Sequence, residues 1–320
     1  MELRQFRYFL AIVDAGSLSR AAQQLHVAQS ALSRQIAELE SELEVELLIR
    51  SRNGVKVTPA GRVFYDYAHG ITKQVADARA AVHHAAGTIV GSVVVALPQS
   101  VAAMLALPLM RAAATRFPDI VFHLNEELTG NMADQLLHGR VDLAIFTDTM
   151  PPQDVSFTPL VEEEFVLLHA PGQDRSLPEG EVTIAEAIAH PLVLPSGNHG
   201  HCTRWIVDAA LEAQGHPVQR IAAEINSVYV LKNAVEAGVG PTIMPLGLAQ
   251  REVADGRLIA HRIRGGAVVR VLGVCVSRHL PVTAAKRAAC LLVADVVREL
   301  CDNNLWQGAR SNPQPIRRPE

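Results

Sequence analysis

Cysteine is scarce in this 320-residue sequence, and long apolar runs are missing from it. Its four cysteines, Cys202, Cys275, Cys290 and Cys301, form no CxxC pair, which is typical of unpaired thiols in a reducing compartment and disfavours disulfides or a zinc ribbon. No window holds the roughly 18 consecutive apolar residues that a membrane span needs, and the first residues do not resemble a secretory leader. These absences predict a cytoplasmic protein that has no membrane partner.

The motifs of common enzyme classes are missing as well. The sequence has no GxSxG elbow, no P-loop and no GxGxxG turn after a strand, so we expect no catalytic site and no cofactor. The segment "NHGHC", residues 198–202, offers imidazole and thiolate groups, but three donors so close together lack the usual ligand spacing and no fourth ligand is evident. We therefore expect no metal site either.

Charge is distributed unevenly along the chain. The composition, 49% hydrophobic and 19% charged, suits a globular protein of two or three domains, and the net charge of −4 argues against a protein that coats nucleic acid. However, residues 15–37 and 47–65 contain no Asp or Glu, whereas the segment between them has five glutamates, Glu38, Glu40, Glu42, Glu44 and Glu46. The two acid-free segments predict a local face for an anionic partner, with the acidic segment pointing away from it.

The first sixty residues have the pattern of three short helices and a hairpin. One helix begins at Leu3 and stops at "DAGS", a second begins at Ser17 as a predicted N-cap, and a third runs from about Ala28 to Leu43. A short helix, a tight turn and a second helix with small polar and basic residues at its start predict a helix-turn-helix. The alternative is an ordinary amphipathic three-helix unit whose charge pattern arose by chance.

The third helix carries side chains suited to the major groove. Gln29, Ser30, Ser33 and Arg34 lie on its first turns, opposite the apolar stripe, where Gln can pair with adenine, Arg with guanine and Ser with a base or a phosphate. The segment "RSRNGVKVTPAG" that follows places basic residues around an Asn-Gly turn. We interpret it as a basic wing that lies on the DNA backbone or minor groove.

This part of the chain resembles the LysR-type transcriptional regulators. The resemblance rests on "FLAIVDAGSLSRAAQQLHVAQSALSRQIAELESEL", "LLIR" and "VTPAG", and continues through "FPDIVFHL", "LLHGRVDLAIF", "HPLVLPS" and "VEAGVGPTIMP". Ser30 and Leu48 depart from the usual proline and phenylalanine of the family, which affects the preferred base sequence but not the fold. Within the family, "LLIR" and the adjoining turn are similar to the nitrogen assimilation control subgroup. The family resemblance implies DNA contacts from Ser17, Gln29, Ser30, Ser33, Arg34, Arg50 and Arg52.

A long helical pattern follows from Thr58 to about Ala86. Its apolar residues recur every three or four positions, namely Phe64, Tyr67, Ile71, Val75, Ala78 and Val82. A helix of this length cannot bury such a stripe against a three-helix unit alone, so we predict a coiled coil with a second copy. The alternative is a surface helix docked on its own sensor domain. The resemblance implies a homodimer or homotetramer.

The rest of the chain alternates short strands with helices, which predicts an α/β sensor. The chain crosses to a second lobe near residue 165 and returns near residue 265, which forms a cleft like that of type 2 periplasmic solute-binding proteins. At strand ends facing this cleft, the resemblance and the pattern indicate effector contacts from Gln99, Ser100, Thr129, Phe146, Ser196, His199 and Asn226. Each of these could instead be a cap or turn residue. Peroxide sensing is disfavoured because the nearest cysteine after Cys202 is Cys275.

The predicted domain boundaries follow from these patterns. They are a winged helix-turn-helix over 1–58, a linker helix over 59–86, a hinge over 87–92, an effector-binding domain over 93–301 (lobe I 93–164 and 266–301, lobe II 165–265) and a flexible tail over 302–320. The alternative for the tail is that Leu305 and Trp306 dock locally. The sequence thus predicts a regulator that binds double-stranded promoter DNA and is gated by a small, anionic effector. The alternative is an effector-independent LysR-type regulator. The resemblance also allows contact with RNA polymerase.

Overall fold

The computed structural model describes residues 1–51, 54–84, 89–127, 129–147, 153–172, 180–197, 202–216, 220–265 and 268–312. The chain divides into two compact units. One consists of residues 1–91 together with 137–140, and the other of residues 92–136 and 141–320. Within the described ranges, no helix combines the length and the apolar character needed to cross a bilayer.

The first unit is a three-helix core followed by a two-stranded wing and a long helix. Phe9 and Ile12 of the first helix are buried against Leu32 and Ile36 of the third, at the helical spacing that the sequence predicts. The first helix ends where Gly16 adopts a left-handed backbone with φ 62°. The elements are α1 (Leu3–Ala15), α2 (Leu18–Gln24), α3 (Gln29–Leu43), β1 (Leu48–Ser51), β2 (Gly54–Val57) and α4 (Pro59–His84).

Gly54 fixes the wing against the turn between α1 and α2. The two wing strands pair antiparallel, with Leu48 opposite Val57. Gly54 has φ 120°, and a Cβ atom there would lie 2.6 Å from the carbonyl oxygen of Gly16. The same oxygen accepts a hydrogen bond of 3.0 Å from the N–H of Val55. Only glycine allows both this backbone conformation and this close approach.

The first turns of α4 belong to the core of the first unit. The hydroxyl oxygen of Thr58 accepts from the N–H of Gly61 at 2.9 Å and so caps the helix. Phe64 then stacks on Phe6, with ring centroids 5.2 Å apart, and meets Phe9 edge-on at 5.0 Å. Phe64 therefore packs on α1 of its own chain and is half-buried there, and its place in a dimer stripe stays a prediction.

The second unit contains two lobes of strands and helices. Its first lobe begins with β3 and β5, which pair in parallel, and the second contains the parallel pair β8 and β9. The elements are β3 (Gly91–Leu97), α5 (Gln99–Arg116), β4 (Ile120–Glu126), α6 (Thr129–Leu137), β5 (Leu143–Thr147), β6 (Val155–His169), β7 (Glu181–Val182), α7 (Ile184–Ala187), β8 (Leu192–Pro195), α8 (Cys202–Ala213), β9 (Ile221–Ile225), α9 (Val228–Glu236), β10 (Thr242–Pro245), α10 (Gln250–Ala254), β11 (Ile259–Ile263), β12 (Val269–Ser277), α11 (Ala284–Asp302) and β13 (Ala309–Ser311).

One long strand, β6, serves both lobes. Its residues up to Glu164 pair with β12 of the first lobe, and its residues from Phe165 pair with β10 and β11 of the second. The chain therefore enters the second lobe between Glu164 and Phe165 without leaving the strand. It returns to the first lobe between β11 and β12, and α11 packs there against α5.

Residues 303–312, which follow α11, pack against β6. Trp306 is only 1% exposed, and the three residues of β13 pair with β6. Trp306 therefore docks locally, as the alternative allowed, whereas Leu305 stays exposed. One buried indole and a short backbone pairing hold a segment that is otherwise poor in apolar residues, so this part departs from the predicted flexible tail. Residues 313–320 of the predicted tail lie outside the described residues.

Candidate nucleic-acid interface and effector site

The leading face of α3 is exposed and polar. Gln29, Ser30 and Arg34 are exposed and Ser33 is half-buried, whereas Leu32 beside them is fully buried. The N-cap residue is an alanine, which offers no side-chain acceptor to the first backbone amides. These amides are therefore available to an anion such as a phosphate group.

Two of these side chains have partners on neighbouring turns. The hydroxyl of Ser19 in α2 donates to Oε1 of Gln29 at 2.9 Å. Nε of Arg34 lies 3.4 Å from Oε1 of Glu38, one turn further along α3, and both of these side chains are exposed. Such an exposed pair contributes only a few tenths of a kcal/mol, about 0.3 to 0.5, so the Arg34 guanidinium is readily released to another anion.

Arg50 ties the wing to α3. Its Nη1 donates to the hydroxyl oxygen of Ser33 at 2.7 Å, and its Nη2 lies 3.8 Å from Oε2 of Glu40. Oε1 of Glu40 accepts from the N–H groups of Leu47 and Leu48, at 2.8 and 3.0 Å. Glu40 thus differs from the prediction that the acidic segment points away, because it supplies the acceptor that the start of the wing needs.

Two other predicted DNA contacts have different outcomes. Ser17 occupies the N-cap of α2, but its hydroxyl makes no capping hydrogen bond, so the capping role predicted for it is wrong. Its DNA contact stays a prediction. Arg52 lies outside the described residues.

Arg270 is the centre of a buried polar cluster in the second unit. It lies on β12 directly opposite Glu163 of β6, and its Nε donates to Oε2 of Glu163 at 2.6 Å. The side chains of Arg270 and Glu163 are 0% and 2% exposed. Its Nη1 donates to Ser100 at 3.1 Å and to Thr203 at 3.5 Å. Its Nη2 is buried and has no hydrogen-bond partner among the described residues.

Two helix N-termini from different lobes meet at this guanidinium. Ser100 lies in the first turn of α5, which follows Pro98, and Thr203 lies in the first turn of α8. Helix N-termini favour negative charge, and the ring of Phe165, whose centroid lies 5.7 Å from the guanidinium carbon, covers one side of the cluster. Because Glu163 neutralises Arg270, a singly charged anion at Nη2 would face a balanced ion pair and two favourable helix dipoles.

Gln99 provides a second link between the lobes. Its Oε1 accepts from the N–H of Val228, the first residue of α9, at 2.7 Å. Its Nε2 donates to Glu126 at 3.3 Å. The hydroxyl of Ser227 caps the same helix by accepting from Val230. Gln99 therefore holds the start of α9 in the second lobe to the start of α5 in the first.

The other predicted effector contacts are more scattered. Phe146 is buried in β5, Ser196 is buried after β8, and Asn226 is exposed two residues before Val228. The structure thus brings Ser100 and Gln99 to the junction of the lobes, and Asn226 to its edge. Thr129 begins α6, but its side chain and the whole of His199 lie outside the described residues.

Arg270, Glu163 and Thr203 were not predicted as site residues from the sequence, and neither was the contact of Trp306 with this cluster. The indole N–H of Trp306 donates to Oε1 of Glu163 at 2.7 Å, so the ordered C-terminal segment completes the cluster. One signal was available, since Arg270 interrupts the apolar strand "VVRVLGVCVS" and a buried strand rarely keeps an unpaired charge. The identity of its partner could not be inferred from that signal.

The three cysteines whose side chains the structure describes, Cys275, Cys290 and Cys301, are poor nucleophiles. Burial raises the pKa of the Cys275 thiol well above its usual range, that of Cys290 to about 12 and that of Cys301 to about 11. These thiols stay protonated at physiological pH. Within the described ranges, no three His, Cys, Asp or Glu side chains are grouped so that they could hold a metal ion.

A winged helix-turn-helix and a two-lobed α/β sensor define a DNA-binding transcription regulator. Residues 3–62 match the family model described as "Bacterial regulatory helix-turn-helix protein, lysR family", and residues 86–298 match "LysR substrate binding domain". The chain belongs to the LysR family of transcriptional regulators.

Known relatives agree with this assignment. The nitrogen assimilation regulatory protein nac of Klebsiella aerogenes is 33% identical over 254 residues, which cover 78% of this chain and 80% of nac. A full-length variant of OxyR from Pseudomonas aeruginosa has a TM-score of 0.71 at 21% identity, covering 98% of this chain and 99% of that one. Full-length CbnR in complex with its target DNA has a TM-score of 0.68 at 23% identity, covering 93% and 99%. The two structures establish likeness of fold.

Proposed function

We propose that this regulator binds promoter DNA as a dimer through α3 and the wing, and that a small carboxylate held between the sensor lobes controls it. Effector binding between the lobes is supported by one observation: the guanidinium of Arg270 is fully buried, and its Nη2 has no hydrogen-bond partner among the described residues. A buried donor without a partner costs about 1 to 3 kcal/mol, which a carboxylate oxygen would recover.

The proposed DNA binding is supported by the leading face of α3. Gln29 and Arg34 are exposed there, the first backbone amides have no side-chain cap, and no acidic residue lies between Ala15 and Ala37. A helix with this end in the major groove would bring side-chain donors to base edges and backbone amides to phosphates. Arg50 would hold the wing beside it.

The proposed dimer is supported by the part of α4 that extends beyond the core of the first unit. Tyr67, Ile71 and Val82 are 55%, 37% and 74% exposed, which is unusual for apolar side chains at regular helical spacing. Ala78 is exposed and Val75 half-buried on the same face. A second copy of this stripe would cover them in a coiled coil and place two α3 helices for two half-sites. A tetramer would use the same pair as its building block.

The dimer is tested by Ile71→Asp, which would place a charge in the stripe. Light scattering on the full chain should show a smaller species, and affinity for a two-half-site duplex should fall. Ala76→Asp introduces the same charge on the other side of α4, where Ala76 is exposed, and should change neither property. A wild-type mass for Ile71→Asp would contradict the coiled coil.

The effector site is tested by a thermal-shift screen with small aliphatic, aromatic and amino-acid monocarboxylates. At least one should raise the unfolding temperature of the full chain. Ser100→Glu, which places a tethered carboxylate beside Arg270, should abolish that rise and the effector response in a promoter reporter, but leave DNA affinity near wild type. Thr115→Glu adds the same charge at the far end of α5 and should leave the response intact.

Two outcomes would overturn this proposal. If no carboxylate shifts the wild-type unfolding temperature, the Arg270 cluster closes the lobes by itself and the regulator is effector-independent. If Ser100→Glu still binds a hit at wild-type affinity, the carboxylate lies elsewhere.

We also infer that the protein acts in the cytoplasm and that its role is regulatory and not catalytic. Its relative nac is named a regulatory protein, and a promoter-binding protein works where the chromosome is. The absence of catalysis is tested by incubating the effector with the protein and measuring the effector by chromatography. Its amount should not change.

A further inference from the structure

Two hydrogen bonds on the leading face of α3 determine which polar groups remain for DNA. Ser19 donates its hydroxyl hydrogen to Oε1 of Gln29, at 2.9 Å. Arg50 donates from Nη1 to the oxygen of Ser33, at 2.7 Å. Each bond uses one of the two lone pairs of the acceptor atom of a side chain that we expect to contact bases, and fixes the direction in which that atom points.

The polarity of the remaining groups follows from this. With its Oε1 engaged, Gln29 keeps the two N–H groups of Nε2. Arginine has donors only, so Ser33 must accept from Arg50, and its own hydroxyl hydrogen is left to donate. Arg34, which is 75% exposed, also has donors only.

We infer that the leading face of α3 is a donor surface that recognises guanine in preference to adenine at the position that Gln29 contacts. Guanine presents two acceptors in the major groove, N7 and O6, whereas adenine presents the acceptor N7 and the donor N6. Glutamine recognises adenine by using its oxygen for N6 and its nitrogen for N7. In this protein Ser19 holds that oxygen. The inference rests on the proposed entry of α3 into the major groove.

Packing keeps both donors in place. Ser19 lies on α2, which is fixed to the core by the buried residues Ala21 and Ala22. Arg50 lies between Ser33 and Glu40, and Glu40 in turn accepts from the backbone of the wing. Binding adenine through Gln29 would therefore require the Ser19 bond to break or be shared.

The test begins with selection of duplexes from a randomised library by the full-length chain. In the selected site, each guanine is then replaced by adenine or by 7-deazaguanine, which lacks the N7 acceptor. At the Gln29 position, either replacement should weaken binding about ten-fold in a fluorescence anisotropy titration.

Variants then connect this preference to the hydrogen bond. Ser19→Ala should reduce the guanine-to-adenine ratio at one position about ten-fold, because Oε1 of Gln29 becomes free to accept from N6. Gln29→Glu, which has no donor when ionised, should lose the guanine preference at the same position. Ser41→Ala changes an exposed serine on the same helix, away from its first turn, and should leave the ratio at its wild-type value.

The outcomes separate this inference from the proposed function. Selection of a specific site with adenine at the Gln29 position would overturn the inference alone, as would a wild-type base ratio in Ser19→Ala. Failure to enrich any sequence would overturn the proposed function, and the inference with it.

Discussion

Among the described residues, arginine, serine and glutamate meet in two clusters, one partly exposed and the other in the interior. In the first unit, Arg50 donates to the hydroxyl oxygen of Ser33 and lies 3.8 Å from the carboxylate of Glu40. The side chains of Arg50 and Glu40 are 39% and 16% exposed. Solvent screens this pair, and the side chains can exchange their partner for a phosphate at little cost.

The second cluster contains the same three residue types, but its two charged side chains are buried. Arg270 donates to the hydroxyl oxygen of Ser100 and, at 2.6 Å, to the carboxylate of Glu163, and neither charged side chain is more than 2% exposed. There each charge depends on the other, because an unpaired ion in the interior is costly. The same three residue types therefore hold the wing beside α3 in one unit. In the other unit, each buried charge needs its partner for the fold to be stable.

The largest expected effect is that of Glu163→Ala. It leaves the buried Arg270 without its carboxylate and should lower the free energy of unfolding of the second unit by about 3 to 5 kcal/mol. Urea unfolding followed by tryptophan fluorescence measures this, since both tryptophans, Trp205 and Trp306, lie in that unit. Replacing Arg270 and Glu163 together by methionine should cost far less. A loss below about 1 kcal/mol for Glu163→Ala would mean that water reaches the pair.

A smaller loss is expected from Trp306→Phe. An aromatic ring is kept, but Oε1 of Glu163 loses its indole donor. The free energy of unfolding should therefore fall by about 1 to 3 kcal/mol, measured in urea titrations followed by circular dichroism. The matched change Trp205→Phe, at a side chain that is 55% exposed, should fall within about 0.5 kcal/mol of wild type. Equal effects of the two changes would contradict the role of Trp306 in the buried cluster.

Arg50→Ala should separate stability from binding. Because the pair with Glu40 is partly exposed, the free energy of unfolding should change by no more than about 1 kcal/mol. Affinity for the selected duplex should fall by about 1 to 3 kcal/mol, because Ser33 and the wing lose their common donor. Anisotropy titrations measure the affinity, with Arg79→Ala on the exposed side of α4 as the control. A stability loss as large as that of Glu163→Ala would erase the contrast between the clusters.

Salt should have the smallest effect and distinguish the clusters most directly. In double-mutant cycles, the coupling between Arg50 and Glu40 should be about 0.5 kcal/mol at low salt and vanish at high salt. The coupling between Arg270 and Glu163 should hardly change. Equal salt dependence in both cycles would show that burial does not set the difference.

The backbone of the DNA-binding unit was largely predictable. The spacing of Leu32, Ile36 and Leu39 and the gap in acidic residues located α3 and its exposed face. The partners of Ser33 and Gln29 were not predictable, because each comes from another element whose position depends on tertiary packing. The adenine contact suggested for Gln29 stays a prediction, and it took no account of the hydrogen bond from Ser19, which lies ten residues away in the sequence.

In the sensor, patterns located strands better than they located partners. The crossing near residue 165 was predictable because one apolar strand follows another without a long helix between them. The pairing of Arg270 with Glu163 depends on the register of two strands 107 residues apart, which periodicity does not specify. Docking of Trp306 could be suggested from the size of its side chain, but its contact with Glu163 could not, because the two residues are 143 positions apart.

The strand β6 also limits how this sensor can be recombined with others. Because β6 contributes a central strand to both lobes and also pairs with the C-terminal β13, each lobe is assembled from segments that are distant in the gene. A single recombination event inside the sensor gene would combine β6 from one protein with partner strands from another, and their pairing registers would not match. Exchange of ligand specificity between paralogues is therefore expected to proceed by transfer of the whole region after Gly91, or by point substitutions around Arg270.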